Sequence, residues 1–462
     1  MNPSSLPPAD PAANSSSLPT PPVTTAALSR RQFLTRAALA TGAFAAPMLI
    51  PGSALGPNGK VPPSERIIMG GIGVGNRGSG VLSGWFLPEK DVQFVAICDP
   101  QKARRENIKR MADQKYGNTD CKLYSNLREF LAERTDIDIV LSSTGDRWHA
   151  LAATWAMRAG KDVYSEKPSS MTIAEGQAVV DAMFKYGRVY QTGTQRLSET
   201  AFMVSYELAK TGRLGKVHTT YAHIAPWDEA EMRHDWLPGQ PELPKDECDW
   251  DQWLGPCPWR PYNPEYTRGG WRGHYDFHTS CIGEWGAHTI AQCMFGIDQL
   301  DTSPVKYQYV DNISGDGMVM TFANGVKMVL SRGDKHWRGS CGMRFDGPEG
   351  WTACADGYSK PDVSSPTLLA DSKKLVADYV ARTGRAVGGN GHARNFLDCV
   401  KSRRLTVSNA VVMHRSMTAV HAANICMWLK RDLTYDPVKE EFVNDVEANR
   451  LRSRAQRAPY IF

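Results

Sequence analysis

A short apolar run from Ile67 to Ile72 feeds straight into Gly73-Val74-Gly75-Asn76-Arg77-Gly78, a G-x-G-x-x-G turn. A second apolar run, Val92 to Cys98, ends in Asp99, 26 residues after Gly73. Such glycine patterns arise easily by chance; the placed acid is what makes this one informative. Each residue has a separable job. Gly73 permits the tight turn, Gly75 lets a pyrophosphate approach the backbone, and Gly78 lets a helix pack on the strand. Unpaired N–H groups at the helix start, and its dipole, favour an anion there. Asp99 is spaced to accept from the ribose hydroxyls of a dinucleotide. It would also repel a 2′-phosphate. At ~4 Å and an effective dielectric of ~20, two like charges cost about 4 kcal/mol, roughly a thousandfold in binding. NAD is therefore the expected cofactor; Arg104 and Arg105, just downstream, soften the repulsion and leave NADP open.

Three more signals bear on chemistry. Glu166-Lys167-Pro168 follows the strand-like run Asp162 to Ser165, which puts Lys167 at the carboxyl edge of a parallel sheet, where open α/β sheets bind ligands. A partly buried lysine there, near a nicotinamide, has a lowered pKa and can donate to a substrate hydroxyl. Glu-Lys-Pro alone also serves as a common surface turn. The second signal is Gly283-Glu284-Trp285-Gly286-Ala287-His288. If Glu284 opens a helix, Glu284 and His288 share one face, and the carboxylate orients the imidazole as a general base for an alcohol proton. An isolated pair of this kind also occurs on surfaces; the glycine and tryptophan around it point to a confined site. The third is Trp148-His149, at a helix start after a strand, where a histidine can line the cofactor pocket or be satisfied within the fold.

These residues need a particular scaffold. Ile137 to Ser142 reads as a buried strand, Trp148 to Ala159 as a helix, Asp162 to Ser165 as a strand, Ile173 to Tyr186 as a helix and Val189 to Thr192 as a short strand. That alternation is the signature of a parallel, doubly wound sheet. Beyond Gln195 the pattern changes. Val217 to Ile224 alternates as a strand, and Pro226 to Gly283 is a long Trp/Pro/Gly-rich stretch. Its five tryptophans between 236 and 271 argue for an ordered, substrate-facing loop. Strands follow at Val305 to Val310, Met318 to Phe322 and Lys327 to Ser331, the last two joined by the hairpin signal Asn324-Gly325. The expected fold is α/β: an N-terminal Rossmann domain over 64–194, then an α/β domain over 195–462 with a mostly antiparallel open sheet.

The first 28 residues are rich in Pro, Ser, Thr and Ala, carry the single charge Asp10, and cannot build a core. Ser29-Arg30-Arg31-Gln32-Phe33-Leu34 then places a twin arginine before the moderately apolar Ala37 to Ile50. Fourteen residues rise about 21 Å as helix, short of a ~30 Å hydrocarbon core. We read residues 1–58 as a disordered prefix and twin-arginine export signal, with periplasmic residence and no stable membrane anchor; a disordered tail that happens to contain Arg-Arg is the other reading. Loss of residues 1–54 removes three Arg and one Asp, taking the net charge from +5 to +3. No basic run with interleaved aromatics remains, so nucleic acid is not an expected partner. The ten cysteines include no C-x-x-C, and no metal site is expected. Cys98, Cys293, Cys399 and Cys426 read as buried thiols, whereas Cys248 and Cys257 bracket the Trp-rich stretch and would be free to pair in an oxidising compartment.

Together these motifs resemble the glucose–fructose oxidoreductase/inositol dehydrogenase (Gfo/Idh/MocA) family, in its exported branch. The similarity extends through Gly193-Thr194-Gln195-Arg196, Asp251 to Pro256, Asn395 to Val400 and Tyr435 to Asn449. The resemblance implies bound NAD, held at Gly73, Gly75, Asn76, Arg77, Gly78, Asp99, Thr144, Trp148, His149, Glu166, Lys167 and Gln195. It implies a sugar or polyol substrate, with Lys167, His288 and the acid Glu284 assisting hydride removal from a hydroxyl-bearing carbon, and an open sheet face of the kind used for homo-oligomers. The chain departs from the family pattern at Glu284, where aspartate is usual, at Thr144-Gly145-Asp146, where a proline is frequent, at His278-Thr279-Ser280-Cys281, where glycines stand, and at Ala291, often an acid. Three readings follow: an NAD-dependent oxidoreductase; a redox-neutral glycosidase or epimerase working through a 3-keto sugar with trapped cofactor; and a catalytically silent sugar-binding protein.

Overall fold

Strands β1 (Ile67–Ile72), β2 (Val92–Cys98), β3 (Lys122–Tyr124), β4 (Ile139–Ser142), β5 (Asp162–Ser165) and β6 (Tyr190–Thr192) form one sheet in the order β3-β2-β1-β4-β5-β6. All of its neighbouring strands run parallel. Their near-continuous apolar runs reflect burial of both faces: Met69, Ile97, Ile139, Val140 and Val163 are each 0% exposed. The connections reverse direction between β1 and β4, which opens a crevice at the carboxyl ends of those two strands. The computed structural model describes residues 62, 65–224, 232–311, 316–333 and 335–462. The twin-arginine segment lies outside the described residues.

The second sheet has nine strands, in the order β13-β12-β11-β7-β10-β9-β8-β14-β15. In chain order they are β7 (Thr219–His223), β8 (Lys306–Gln308), β9 (Asp316–Thr321), β10 (Lys327–Ser331), β11 (Met343–Gly347), β12 (Gly350–Cys354), β13 (Asp362–Val363), β14 (Leu433–Asp436) and β15 (Glu441–Phe442). One pair, β7 with β10, is parallel, and the other neighbours are antiparallel. The hairpin expected at Asn324-Gly325 closes β9 onto β10: Gly325 has φ +86°, and the Phe322 N–H donates to Val326 O at 3.0 Å. Helices Thr200–Lys210, Ser280–Gly296 and Ala410–Leu429 share one apolar core with this sheet, built from residues such as Tyr206, Met294, Met320 and Met417.

The expected division at residue 195 is crossed by the chain. Helix Gly391–Ser402 returns to the first sheet, where Ala393, Phe396, Leu397 and Cys399 share a core with Ile67, Met69 and Phe94. Tyr460 does the same on the other face, beside Trp148 and Trp155. The Trp-rich stretch is ordered where described and carries a small core of its own, with Trp250 stacked on Trp253 at 4.7 Å and Tyr266 and Phe277 beside them. Side chains of that size bury roughly 150–250 Å² each, enough to hold a segment that has little regular structure. It docks on the first domain: Lys102 N–H donates to Glu247 O (2.9 Å), Asp249 N–H to Pro100 O (3.1 Å) and Trp148 Nε1–H to Gln252 O (3.0 Å). All ten cysteines are buried and free, so Cys248 and Cys257 do not pair; the Cys257 thiol donates instead to Asp276 O at 2.8 Å. Among the described residues no helix is long and apolar enough to cross a membrane.

Candidate active site

The chain leaves β1 through Gly73, whose φ of +62° is left-handed. A Cβ there would lie 2.4 Å from Thr144 Cγ2 and 2.9 Å from Thr144 Cα, so the turn after β1 can meet the turn after β4 only without a side chain. At Gly78 a Cβ would lie 2.7 Å from Ser143 Cβ. This glycine serves packing, as its spacing implied, and is not on the cavity wall. Gly73, Gly75, Asn76 and Arg77 do line a cavity of about 370 Å³ that runs along the crevice. Its walls also include Asp99 at one end and Thr144, Trp148, His149, Glu166 and Lys167 toward the other.

Asp99 is 2% exposed and its Oδ1 accepts from the Gln101 N–H at 2.9 Å. Burial raises its pKa, with the Arg104 charge the first influence against that rise. Arg104 lines the cavity, whereas Arg105 turns its guanidinium to the backbone oxygens of Asp99 and Asp246 (2.7 and 2.9 Å) and makes no hydrogen bond to the carboxylate. Two residues expected at the cofactor hold tertiary partners. Gln195 is buried off the cavity wall and donates from Nε2 to Glu166 Oε1 at 3.1 Å. It therefore steadies Glu166, which also faces Arg77 Nε at 3.4 Å. His149 borders the cavity, but its ring nitrogens lie 2.6 Å from Pro168 O and 3.1 Å from Thr144 O. Both neighbours are carbonyl oxygens, so the single N–H of a neutral ring donates to one of them, and Pro168 O is the nearer. The glycine cradle, the buried acid and the extended crevice nonetheless fit a dinucleotide.

Lys167 stands at the end of β5 as expected, and lines both this cavity and a second one of about 200 Å³. The smaller cavity is walled by Arg77, Lys167, Arg196, Glu284, Trp285 and His288. The expected Glu284–His288 pair does not form. Both belong to one helix, which starts at Ser280 rather than at Glu284, but the carboxylate is drawn elsewhere. Lys167 Nζ donates to Glu284 Oε1 (3.0 Å) and to its backbone oxygen (3.1 Å), and His278 Nε2 lies 3.3 Å from Glu284 Oε2. An ammonium is a stronger partner for a carboxylate than a neutral imidazole one turn away. Burial works against the charge on Glu284, yet His278 and Lys167 together hold its carboxyl well below the usual range. With the Gly273 N–H donating to His278 Nδ1 at 3.3 Å, the proton of His278 sits on Nε2, toward Glu284.

His288 is 3% exposed. Burial first, then the positive charges of Arg196, Lys167 and Arg77, push its pKa well below the ordinary 6.5. Its Nε2 faces Arg196 Nη1 at 3.4 Å, so the tautomer that satisfies this contact carries its proton on Nδ1 and turns the Nε2 lone pair toward the Arg196 N–H on the cavity wall. Arg196 is itself clamped by Asp356, with Nε–H and Nη2–H each donating at 2.9 Å. Nothing in the local sequence links residues 196 and 356; only the meeting of the short helix Gln195–Ser198 with the loop after β12 does so. Arg147 was likewise without a signal beyond its place beside Trp148. Its guanidinium is buried, stacks 3.7 Å over Trp253, donates twice to Trp253 O, and has its pKa lowered to about 10 by burial. Asp146, His278 and Glu284 bring donor atoms within 4.8 Å of one another. Protein groups already serve them: Asp146 Oδ2 accepts from Thr279 N–H (3.1 Å) and Oγ1–H (2.8 Å), and Glu284 holds Lys167.

A parallel sheet with a glycine turn and a buried acid at its switch point, beside an open antiparallel sheet whose helix carries a buried histidine, defines a two-domain dinucleotide-binding protein. The chain belongs to the Gfo/Idh/MocA oxidoreductase family: residues 67–194 match the description "Oxidoreductase family, NAD-binding Rossmann fold" and residues 227–462 match "Oxidoreductase family, C-terminal alpha/beta domain". Glycosyl hydrolase family 109 protein 1 of Bacteroides thetaiotaomicron is 30% identical over 168 residues, 35% of either chain. Inositol 2-dehydrogenase of Salmonella typhimurium is 28% identical over 146 residues, 31% of this chain and 42% of that one. The chain thus spans well under half the length of these curated relatives. Among solved structures, the WlbA dehydrogenase of Chromobacterium violaceum, in complex with NADH and UDP-GlcNAcA, aligns with a TM-score of 0.56 at 15% identity. That alignment covers 80% of this chain and 96% of the other, and shows a shared fold.

Proposed function

We propose that this protein oxidises a hydroxyl-bearing carbon of a sugar, polyol or glycoside. The observation that carries this reading is the position of Lys167 on the shared wall of the two cavities, with a neutral, buried His288 facing the smaller one. Bound NAD supplies the two-electron acceptor for the carbinol C–H. His288 Nε2, exchanging its 3.4 Å contact with Arg196 for the substrate, takes the hydroxyl proton, and Lys167 Nζ donates to the same oxygen as negative charge develops on it. Glu284 and His278 orient Lys167, while Trp253 and Trp271 on the roof of the groove limit water. The family membership and the inositol dehydrogenase relative support the same reading. The test is appearance of reduced nicotinamide when the NAD-loaded protein meets a panel of sugars and polyols, followed across pH. Because the folded-state pKa of His288 lies below 6.5, its base form persists as pH falls through that value, and the acid limb of kcat/KM should fall below 6.5. An acid limb above 6.5 would assign the proton to another group.

A second reading is favoured by the Trp-rich segment roofing the cofactor groove and by the glycosyl hydrolase family 109 relative. In it, oxidation at one ring carbon acidifies the neighbouring C–H, the aglycone is eliminated, water adds, and the electrons return to the sugar. Aglycone release without net accumulation of reduced nicotinamide would select this reading over the first.

Export through the twin-arginine route is proposed from Arg30-Arg31. Changing both to lysine should leave the precursor in the cytoplasm in a fractionation experiment; unchanged export would remove the proposal.

A further inference from the structure

The roof of the cofactor crevice is held from both sides. Helix Trp250–Leu254 is five residues long, too short to be stable by itself. Its inner side walls the crevice through Gln252 and Trp253. From the first domain, Arg147 and Trp148 grip two of its backbone oxygens, those of Trp253 and Gln252. The outer side is gripped by segment 452–462. Arg457 donates from Nη2 to the oxygens of Asp251 (3.0 Å) and Gly255 (2.9 Å) and from Nε to Cys257 O (3.1 Å). Its backbone N–H donates to Pro256 O at 2.9 Å. The last carbonyls of a helix find few partners within it, and a cation suits the negative end of its dipole. The Asp251 carboxylate takes two further donors, Arg457 Nη1 on Oδ1 and the Tyr460 hydroxyl on Oδ2.

Tyr460 in turn is seated in the first domain. It is buried, its ring lies 5.5 Å from Trp148 and 6.3 Å from Trp155, and Arg128 sits 5.9 Å over it. The backbone on either side is caught as well, with Pro459 O accepting from Arg128 Nη2 and Ile461 O from Trp155 Nε1 at 3.1 Å. Asp251, Arg457 and Tyr460 do not border the crevice. A dinucleotide lying in it does not touch them, yet they fix the helix that covers it.

We propose that segment 452–462 is a strap that holds the roof down on the cofactor, with Arg457 and Tyr460 as positioning residues and Asp251 as their shared catch. Helix Trp250–Leu254 is clamped between this strap and the Arg147–Trp148 pair. Without the outer hold it rests on its inner contacts alone and lifts more often, so a bound dinucleotide escapes faster. Entry is not impeded, because an open crevice is what entry needs. The strap acts on the cofactor alone and stands or falls independently of the substrate.

The experiment loads the full chain with NADH, chases it with excess NAD and follows nicotinamide fluorescence in stopped flow. Tyr460→Phe deletes one hydroxyl and keeps the seated ring; release should quicken roughly three- to tenfold, as loss of one hydrogen bond implies. Arg457→Ala removes three backbone contacts and the ion pair together, and should quicken release by about tenfold or more. Because both donors share Asp251, the double variant should fall short of the product of the singles. Association should be unchanged or slightly faster in each. Arg431→Gln is the comparison: it breaks contacts to Asp445 and Glu447, off the crevice wall, and should leave release alone. A lower thermal midpoint with release unchanged marks a purely structural role and overturns the proposal. Slower association with unchanged release, or equal acceleration by Arg431→Gln, overturns it too. If Arg457→Ala does not fold, Tyr460→Phe decides: faster release upholds the strap, and unchanged release overturns it.

Discussion

Lys167→Ala and His288→Ala should each lower kcat/KM by roughly two to four orders of magnitude while the protein still binds NAD. That is the range expected when a positioned acid–base group or an oxyanion donor is removed. In the proposed mechanism the two changes act on the same oxygen from two sides: His288 Nε2 would accept its proton and Lys167 Nζ would stabilise the charge left behind. Their effects should therefore overlap, with the double variant little worse than the poorer single one. The readouts are steady-state turnover and, separately, titration of NAD. Lys167 lines the dinucleotide crevice, so its loss weakens NAD binding modestly; His288 does not line it, and its loss should leave NAD binding alone. Truncating Lys167 also frees Glu284, whose carboxyl is held low by His278 and Lys167 together, so its pKa should rise in that variant. If both variants keep turnover within about tenfold of the parent, the assigned roles are wrong.

The second large effect is expected at Gly73. Gly73→Ala should weaken NAD binding by about a hundredfold or more and lower the thermal midpoint. A methyl group there meets Thr144 Cα, a backbone atom, at 2.9 Å, and the φ of +62° is one that alanine adopts with strain. Strain alone costs about 1 kcal/mol; the clash adds to it because neither turn can retreat without moving a central strand. Gly80→Ala, on the helix that begins at Asn76, is the internal comparison, since its Cβ would have nothing within 4 Å and its φ lies outside the left-handed range. It should be neutral or slightly stabilising, by a few tenths to about 1 kcal/mol. Similar losses in both variants would show that the helix, and not the turn, controls cofactor binding.

The dinucleotide turn was legible because its constraint is local. A glycine with positive φ, a strand that ends before it and an acid at the end of the next strand are all properties of neighbouring residues. Lys167 was legible for the same reason, since it lies two residues beyond the end of β5 and strand ends in a parallel sheet point to one edge. The i,i+4 spacing of Glu284 and His288 correctly placed them on one helix face, but proximity along a helix does not decide which partner a carboxylate takes. The ammonium of Lys167, 117 residues distant in sequence, won that competition. The same holds for the partners of Gln195 and His149, expected at the cofactor: Gln195 donates to Glu166, and the His149 ring lies against the Pro168 carbonyl beside Lys167.

By itself the sequence determined the class of each domain, the cofactor turn and the histidine and lysine proposed for the chemistry, because period, turn residues and strand ends are short-range signals. Only the tertiary structure decided what surrounds them: the Arg196–Asp356 clamp, the Arg147–Trp253 stack, the His278–Glu284–Lys167 chain and the return of helix Gly391–Ser402 to the first core. Those partners lie far apart in the chain, and their pairing follows from burial and charge in a packed interior, where an unmatched ion is costly and the nearest opposite charge is taken whatever its place in the sequence.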